Sequence, residues 1–164
     1  MVTIARGHYQ NAYVTHDLDR AMQRAGDLLG IAEFIVFEPD MVLETPQGRR
    51  EASVRAALGW SAGLQVELIE PVSGYVDHYL PFLPPDRRDP SPRFHHVGVR
   101  RDDIGAMRAE IARTGLPLAF EGSVPGLTFV YLDARETLGH YFEYVWASAE
   151  GWAGQGWPPD RPIS

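Results

Sequence analysis

The stretch Arg93-Phe94-His95-His96-Val97-Gly98-Val99-Arg100-Arg101-Asp102-Asp103-Ile104 predicts a strand that leads directly into a helix. Strict alternation would place Phe94, His96 and Gly98 on one face of that strand and His95, Val97 and Val99 on the other. Asp102 or Asp103 can cap the helix. The N-terminal segment has the same arrangement, since Gln10 precedes Asp17 by seven residues, as His96 precedes Asp103. The sequence therefore indicates one unit used twice.

Each half of the chain predicts a strand, a helix and then three strands. The strands fall at about residues 8–15, 33–37, 53–60 and 64–70 in the first half, and at 95–100, 117–120, 128–133 and 141–146 in the second. The first helix runs from Leu18 to Leu29, the second covers 103–114, and Gly30 and Gly115 provide the stops. The prediction is an α+β protein with a first module at 1–70 and a second at 94–146.

Two further segments lack this rhythm. Residues 71–93 contain six prolines among aromatic residues and predict a connection between the modules, with one helical turn near residues 77–82. This connection is either a plain linker or a lid over a site. The tail at 147–164 is rich in glycine and proline and is predicted to be irregular. Trp152 and Trp157 indicate that the tail is held down, with a second subunit as one candidate surface.

Composition excludes several classes of protein. Apolar residues make up 45% of the chain and aromatic residues 11%, which is typical of a folded domain. A net charge of -7 without a basic run argues against nucleic acid or an anionic membrane as a partner. No stretch is long and apolar enough for a membrane span, and the start lacks the apolar centre of a signal peptide, so we expect a cytoplasmic protein. The absence of cysteine restricts any metal site to nitrogen and oxygen ligands.

Polar residues interrupt strand faces that should be apolar. Glu67 and Glu143 fall in the middle of predicted central strands, where a carboxylate is costly to bury unless it is paired, protonated or bound to a cation. Gln10 and His96 occupy matching places in the two modules. Singly, each fits a bland explanation, such as a hydrogen-bonded core histidine or a solvated glutamate. Together they form a nitrogen and oxygen set suited to Zn²⁺, Ni²⁺, Co²⁺, Mn²⁺ or Fe²⁺.

The order and spacing of four motifs resemble the vicinal oxygen chelate superfamily, which includes glyoxalase I, methylmalonyl-CoA epimerase, extradiol dioxygenases and bleomycin-resistance proteins. The motifs are Gln10…Asp17-Leu18-Asp19, Val66-Glu67-Leu68-Ile69-Glu70-Pro71, His95-His96-Val97-Gly98-Val99, and Tyr131-Leu132-Asp133…Leu138-Gly139-His140-Tyr141-Phe142-Glu143-Tyr144. The resemblance extends to about Trp146 and is strongest to the glyoxalase and epimerase branch. It implies paired βαβββ modules that form a curled, cupped mixed sheet around one divalent metal ion.

Position by position, the resemblance implies Gln10, Glu67, His96 and Glu143 as metal ligands. His8 lies on the predicted face of Gln10 and is the alternative ligand, but the spacing to Asp17 favours Gln10. Relatives with two carboxylate ligands abstract a proton next to a carbonyl and hold the enediolate on the metal. Glu143 is then the first candidate base, with Glu67 as ligand or partner base. Isomerase, epimerase and lyase chemistry share this step.

The expected substrate is small and either hydrophobic or of the acyl-CoA type. The residues expected to contact it are aromatic, and they are Trp60, Phe94, Tyr131, Tyr141 and His78. Val14 stands where glyoxalase I has an arginine that helps to hold glutathione, which disfavours glutathione. Three alternatives stay open: a metal-free binding protein of the bleomycin-resistance type, an extradiol-type dioxygenase, from which Gln10 departs, and a degenerate copy with a purely structural role. The resemblance further implies a homodimer.

Overall fold

Nine strands form one mixed sheet in the computed structural model, which describes residues 3–158. The first module contains β1 (His8–Val14), α1 (Leu18–Leu29), β2 (Phe34–Phe37), β3 (Asp40–Thr45), β4 (Gly48–Ser61) and β5 (Leu64–Gly74). A 3₁₀ turn at Leu80–Phe82 follows, within the predicted turn region. The second module contains β6 (Arg93–Arg101), α2 (Ile104–Thr114), β7 (Leu118–Val124), β8 (Leu127–Asp133), α3 (Arg135–Leu138) and β9 (Tyr141–Ala147), and α4 (Ala149–Gly154) comes after it.

The sheet curls because its two ends meet on one long strand. Its order is β2-β4-β3-β7-β8-β9-β6-β1-β5, and β4 also pairs with β5. The first strand of each module lies parallel to the last strand of the same module, and β1 and β6 join the modules in an antiparallel pair. The predicted α+β class and the curled mixed sheet are confirmed.

The two long helices, α1 and α2, each cover the outer side of their own module. The apolar face of α1 packs on Val66 and Leu68 of β5, while Met107 of α2 packs on β6, β8 and β9. Asp17 and Asp103 cap the two helices by accepting hydrogen bonds from the backbone nitrogens of Arg20 and Ala106. The predicted caps are therefore confirmed, with Asp103 rather than Asp102 in the second module.

Two predictions about secondary structure are wrong. The sequence predicts no strand between Pro39 and Ser53, yet β3 and the start of β4 form a hairpin there, with Arg49 paired to Glu44 at 3.1 Å. The charged residues hide the strand, because both faces of this hairpin are largely exposed. The sequence predicts an irregular tail, but residues 149–154 form α4, capped by Ser148. Pro159 and Pro162, also part of that prediction, lie outside the described residues.

None of the helices in residues 3–158 is long and apolar enough to cross a membrane. The tail packs on its own chain: the ring of Trp152 meets that of Tyr9 edge-on, with the centroids 5.4 Å apart. Trp157 lies 5.4 Å from the same tyrosine ring. The tail is thereby placed beside β1.

An ion pair ties α2 to the sheet. Arg101 of β6 donates two hydrogen bonds to the carboxylate of Glu110, at 2.8 and 2.6 Å, and Tyr144 of β9 donates a third at 3.0 Å. The Arg101 hydrogen bond holds the pKa of Glu110 below its usual value. Only 13% of the arginine side chain and 18% of the glutamate side chain are exposed. The pair therefore contributes stability that depends on the ionised carboxylate.

Glu110→Gln is expected to lower the free energy of unfolding at pH 7 by about 1–2 kcal/mol, less than for a fully buried pair because solvent reaches part of it. A depressed pKa contributes stability above the unfolded-state pKa, and this contribution disappears as the pH falls through the folded-state value. The difference between the variant and the native protein should therefore shrink below about pH 4.5. Urea unfolding at several pH values measures this difference in unfolding free energy. A difference that is constant with pH would contradict a stabilising role for the ionised Glu110 carboxylate.

Candidate metal centre and active site

The curled sheet surrounds a cavity of about 330 Å³, within the roughly 300–1,000 Å³ that small-molecule sites occupy. Strands of both modules line it, as does the segment that follows α4. Most of the wall is apolar, with Met41, Phe120 and Phe129 among its side chains. No lysine, arginine or histidine is among the described residues that line this cavity. An apolar, uncharged molecule would therefore match most of its surface.

Three of the four predicted ligands meet beside this cavity. Nε2 of His96 lies 3.4 Å from Oε2 of Glu67 and 3.4 Å from Oε2 of Glu143. Potential ligand atoms of the three residues all lie within 4.8 Å of one another. The imidazole is fully buried, and only 13% and 10% of the two glutamate side chains are exposed. The chain thus gathers two carboxylates and one imidazole from three different strands.

The register of the central strands explains this convergence. Ala12 of β1 pairs with Glu67 on one neighbouring strand and with His96 on the other. Gly98 of β6 pairs in the same way with Gln10 and with Glu143. A Cβ atom on Gly98 would lie 2.5 Å from Oε1 of Gln10. A larger residue at position 98 would therefore displace the glutamine. The duplication places matching residues at matching points on either side of the junction between β1 and β6.

The three buried groups perturb one another. Burial disfavours the imidazolium of His96, but the carboxylates of Glu143 and Glu67 outweigh it and raise the pKa of His96 to about 9. Burial raises the pKa of Glu67 above its usual value, and the neighbouring His96 offsets this only in part. Without a cation, the cluster is held by the charge on His96. A divalent ion could take the place of that proton.

Gln10 is the fourth predicted ligand, and it lines the same cavity. Its Nε2 atom donates a hydrogen bond to Oε1 of Gln65 at 2.8 Å, which fixes the orientation of the amide. Oε1 of Gln10 is buried and accepts no hydrogen bond, and Oε2 of Glu67 is buried with only the longer contact of 3.4 Å to Nε2 of His96. Unpartnered buried oxygens are costly, and a bound cation would satisfy them. The donor set therefore fits a divalent metal, with one amide oxygen, one imidazole nitrogen and two carboxylates.

The alternative ligand His8 lies apart from this cluster. Its Nε2 atom is 2.9 Å from Oδ1 of Asn11 and 3.2 Å from the backbone oxygen of Gln10. His8 is exposed and does not line the cavity. The structure thus brings Gln10, and not His8, to the cavity that Glu67 and Glu143 line.

The aromatic residues expected to bind substrate have different positions. Tyr131 lines the cavity, and its hydroxyl lies 3.3 Å from Nε2 of His96. His78 and Tyr141 are buried but do not line the cavity. The ring of His78 lies between those of Tyr79 and Phe120, at centroid distances of 3.9 and 4.1 Å. Trp60 lies beyond the lining, where it packs on Trp157 with centroids 5.5 Å apart and donates a hydrogen bond to the backbone oxygen of Gln155.

The prediction that Phe94 shares the face of His96 is wrong. The register between β1 and β6 shifts at this point, because Tyr13 pairs with Phe94 while Ala12 pairs with His96, and His95 is left as a bulge. Phe94 therefore packs outside the cavity, against Tyr13 at 5.7 Å. His95 turns inward beside His96 instead of facing the opposite side. Strict alternation does not hold across a bulge.

Tyr9, Tyr79 and Gln155 also contribute to the cavity wall, and Tyr9 and Gln155 were not expected there from the sequence. Tyr9 precedes Gln10 at a second bulge, and its buried hydroxyl has no hydrogen-bond partner. Burial, and then the charges of Glu143 and Glu67, raise the pKa of Tyr9 well above its usual value, so this hydroxyl stays protonated. Tyr79 comes from the connection and Gln155 from the tail. The tryptophans of the tail were the one signal in the sequence that this segment returns to the sheet.

Comparisons with known proteins agree with this architecture. The family model described as the glyoxalase/bleomycin resistance protein/dioxygenase superfamily matches residues 9–131. A methylmalonyl-CoA epimerase from Mycobacterium tuberculosis is 18% identical, with 93% of this chain and 96% of that chain covered and a TM-score of 0.63. No protein with a curated description matches the sequence.

Two further solved structures are similar. A Streptomyces coelicolor methylmalonyl-CoA epimerase in complex with 2-nitronate-propionyl-CoA is 16% identical, with 88% of this chain and 99% of that chain covered and a TM-score of 0.59. A hypothetical protein from Bacillus halodurans is 16% identical, with 86% and 94% covered and a TM-score of 0.55. At these identities the likeness shows the fold alone.

Proposed function

The chain belongs to the glyoxalase/bleomycin resistance protein/dioxygenase superfamily, and on that premise we propose that it is a divalent-metal-dependent enzyme that abstracts a proton next to a carbonyl group. One observation carries the proposal: Glu67, His96 and Glu143 converge beside an apolar cavity, which is also lined by Gln10, whose buried Oε1 atom accepts no hydrogen bond. Isomerisation, epimerisation and lyase reactions all begin with this proton transfer.

Gln10, Glu67, His96 and Glu143 would hold the metal ion. When bound, a divalent cation supplies a Lewis acid for the negative charge that develops on a carbonyl oxygen during proton removal. The buried Oε1 atom of Gln10, which accepts no hydrogen bond, supports this ligand set because a bound cation would satisfy it. Zn²⁺, Ni²⁺, Co²⁺, Mn²⁺ and Fe²⁺ all accept such ligands.

Glu143 is the proposed base. Its side chain lines the cavity, where a carboxylate can accept a proton from the carbon next to a carbonyl. The charge of Glu143 also contributes to the raised pKa values of the Tyr9 and Tyr131 hydroxyls, after burial itself. Both hydroxyls therefore remain proton donors, and they can hydrogen-bond to a substrate oxygen. Glu67 is the partner carboxylate, which an epimerase would use on the other face of the carbon.

The wall of the cavity favours a small apolar substrate over a polyanionic one. Phosphate or carboxylate groups inside the cavity would meet Glu67 and Glu143 and find no basic side chain among its described residues. An acyl-CoA would have to leave its charged part outside and insert only its acyl group. Methylmalonyl-CoA, which is named with one of the similar structures, is the charged compound against which this expectation can be tested. The homodimer and the cytoplasmic location expected from the sequence stay predictions.

The test has two parts: the metal content of the purified protein, and the exchange of substrate hydrogen for deuterium from the solvent. We expect about one divalent ion per chain by elemental mass spectrometry. (R)-benzoin, an uncharged aromatic α-hydroxy ketone, should exchange its carbinol hydrogen for deuterium in D₂O with the loaded protein. After removal of the metal with a chelator, the exchange should stop, and readdition of the metal should restore it.

Methylmalonyl-CoA serves as the comparison substrate in the same assay. Exchange into methylmalonyl-CoA but not into benzoin would keep the chemistry and overturn the apolar substrate class. An apo protein that exchanges neither compound after loading with each of the five metals would contradict the proposed function.

A metal-free binding protein is the second candidate, and one observation favours it. His96 between two carboxylates partly balances their charge without any ion. Such a protein would contain no stoichiometric metal and would bind benzoin equally well with and without chelator. Quenching of tryptophan fluorescence can measure this, because Trp60 and Trp157 lie near the cavity.

The dioxygenase alternative is less consistent with the geometry. It requires two histidines and one carboxylate around Fe²⁺. His95, whose ring lies next to that of His96, would have to be the second histidine. Both ring nitrogens of His95 are engaged elsewhere, at 2.9 Å from Nδ1 of His96 and 3.2 Å from the backbone oxygen of His78. Oxygen uptake with catechol by the iron-loaded protein would reverse this ranking.

A further inference from the structure

A hydrogen-bonded chain leads from the connection between the modules to His96. His95, the bulged residue of β6, is completely buried. Rings surround its imidazole, with centroids 4.8 Å away for Tyr79, 4.8 Å for Phe82 and 5.0 Å for Tyr141. Nothing in the proposed reaction uses this residue. Its two ring nitrogens nevertheless have specific partners.

The partners of His95 fix the location of its hydrogen. Nε2 lies 3.2 Å from the backbone oxygen of His78, and a carbonyl oxygen only accepts hydrogen bonds. Nε2 of His95 is therefore the protonated nitrogen. The ring is buried among aromatic rings and has no carboxylate in contact, so a second proton would leave an unpaired buried charge. His95 is thus neutral, and its Nδ1 atom is an acceptor.

The same reasoning then fixes the position of the hydrogen on the next ring, that of His96. Nδ1 of His95 lies 2.9 Å from Nδ1 of His96, so the hydrogen between them belongs to His96. A neutral His96 that carries its hydrogen on Nδ1 has its lone pair on Nε2. That atom faces Glu67 and Glu143, each at 3.4 Å. The lone pair is therefore directed at the place where the cation would lie.

We propose that His95 is a positioning residue that holds His96 in the Nδ1–H tautomer, with the backbone oxygen of His78 as the outer end of the chain. The proposal rests on the metal centre of the proposed function. Metal-binding histidines usually donate their other ring hydrogen to a carboxylate, carbonyl or water, which fixes ring and tautomer. Here a second histidine accepts it. The connection at 71–93 then orders a ligand as well as joining the modules.

Zinc affinity tests the proposal through two matched variants. His95→Phe keeps a ring among its aromatic neighbours but removes the acceptor, and His95→Asn keeps an oxygen close to the position of Nδ1. We expect His95→Phe to weaken binding of Zn²⁺ to the metal-stripped protein by about 10–100-fold and His95→Asn by less than about threefold. Isothermal titration calorimetry measures both. Phe82→Leu, which loosens the packing on His95 without removing either hydrogen bond, should bind as the native protein does.

Equal losses in His95→Phe and His95→Asn, or no loss in His95→Phe, would overturn the positioning role. A loss in Phe82→Leu as large as that in His95→Phe would assign the effect to packing and overturn it too. Circular dichroism and thermal unfolding verify that each variant is folded.

The tautomers themselves can be read from the native protein, whether or not any variant folds. Long-range ¹H–¹⁵N correlation spectra of histidine-labelled protein distinguish protonated from unprotonated ring nitrogens. In the metal-stripped protein, His95 should be a neutral Nε2–H tautomer. With Zn²⁺, His96 should carry its hydrogen on Nδ1. A charged or Nδ1–H form of His95 contradicts the proposal, whereas failure of the native protein to bind Zn²⁺ contradicts the metal centre of the proposed function.

Discussion

Glu143→Gln should abolish solvent deuterium exchange, with a rate loss of about 10²–10⁴-fold that is typical of removing a general base. Glutamine has nearly the same shape and keeps an oxygen that can reach a metal ion, but it cannot accept the substrate proton. Glu143 lines the cavity with its Oε2 atom 3.4 Å from Nε2 of His96, and a side chain of nearly the same shape should leave the wall intact. The exchange rate of (R)-benzoin measures the loss, and the far-UV circular dichroism should stay native-like.

Glu110→Gln is the matched control for Glu143→Gln. Glu110 lies on α2 and pairs with Arg101, away from the described residues that line the cavity, so this variant should exchange benzoin at the native rate under folded conditions. Loss of exchange in Glu143→Gln alone supports the assignment of the base. Full exchange by Glu143→Gln would remove Glu143 from the mechanism.

His96→Ala should weaken Zn²⁺ binding by well over 100-fold, because changes to residues that merely support a ligand already cost about 10–100-fold. The substitution removes the only nitrogen in the cluster of Glu67, His96 and Glu143. It also leaves two buried carboxylates without their positive partner, so at pH 7 the metal-stripped variant should unfold at a lower temperature than the native protein. Calorimetric titration with Zn²⁺ and thermal unfolding measure the two effects.

His8→Ala tests whether zinc binding depends on His96 specifically or also on the other histidine considered as a ligand. His8 is exposed and contacts Asn11 rather than the cluster, so its removal should leave zinc affinity unchanged. If His8→Ala weakened zinc binding as much as His96→Ala, His8 would have to replace Gln10 in the ligand set. Native zinc affinity in His96→Ala would exclude the proposed centre altogether.

Much of the fold followed from local patterns. Each of the two long helices begins at an aspartate cap and ends at a glycine, and these signals depend on residues close in sequence. The duplication was visible because the same spacing from polar residue to cap occurs at Gln10 and at His96. Carboxylates in central strands are costly to bury, which makes Glu67 and Glu143 conspicuous in the sequence itself. The hairpin of β3 and β4 was not visible, because largely exposed strands need no apolar face.

The sequence alone determined the class of fold and the positions of the two long helices, and it singled out four polar residues as candidate ligands, Gln10, Glu67, His96 and Glu143. Only the tertiary structure decided that His95 turns inward and Phe94 outward, and that Tyr9, Tyr79 and Gln155 complete the cavity wall. A bulge arises from the register between β1 and β6, and the wall from segments distant in sequence that return to the sheet. Apart from the tryptophans of the tail, neither has a local signature, because both depend on pairing between parts of the chain that meet only after folding.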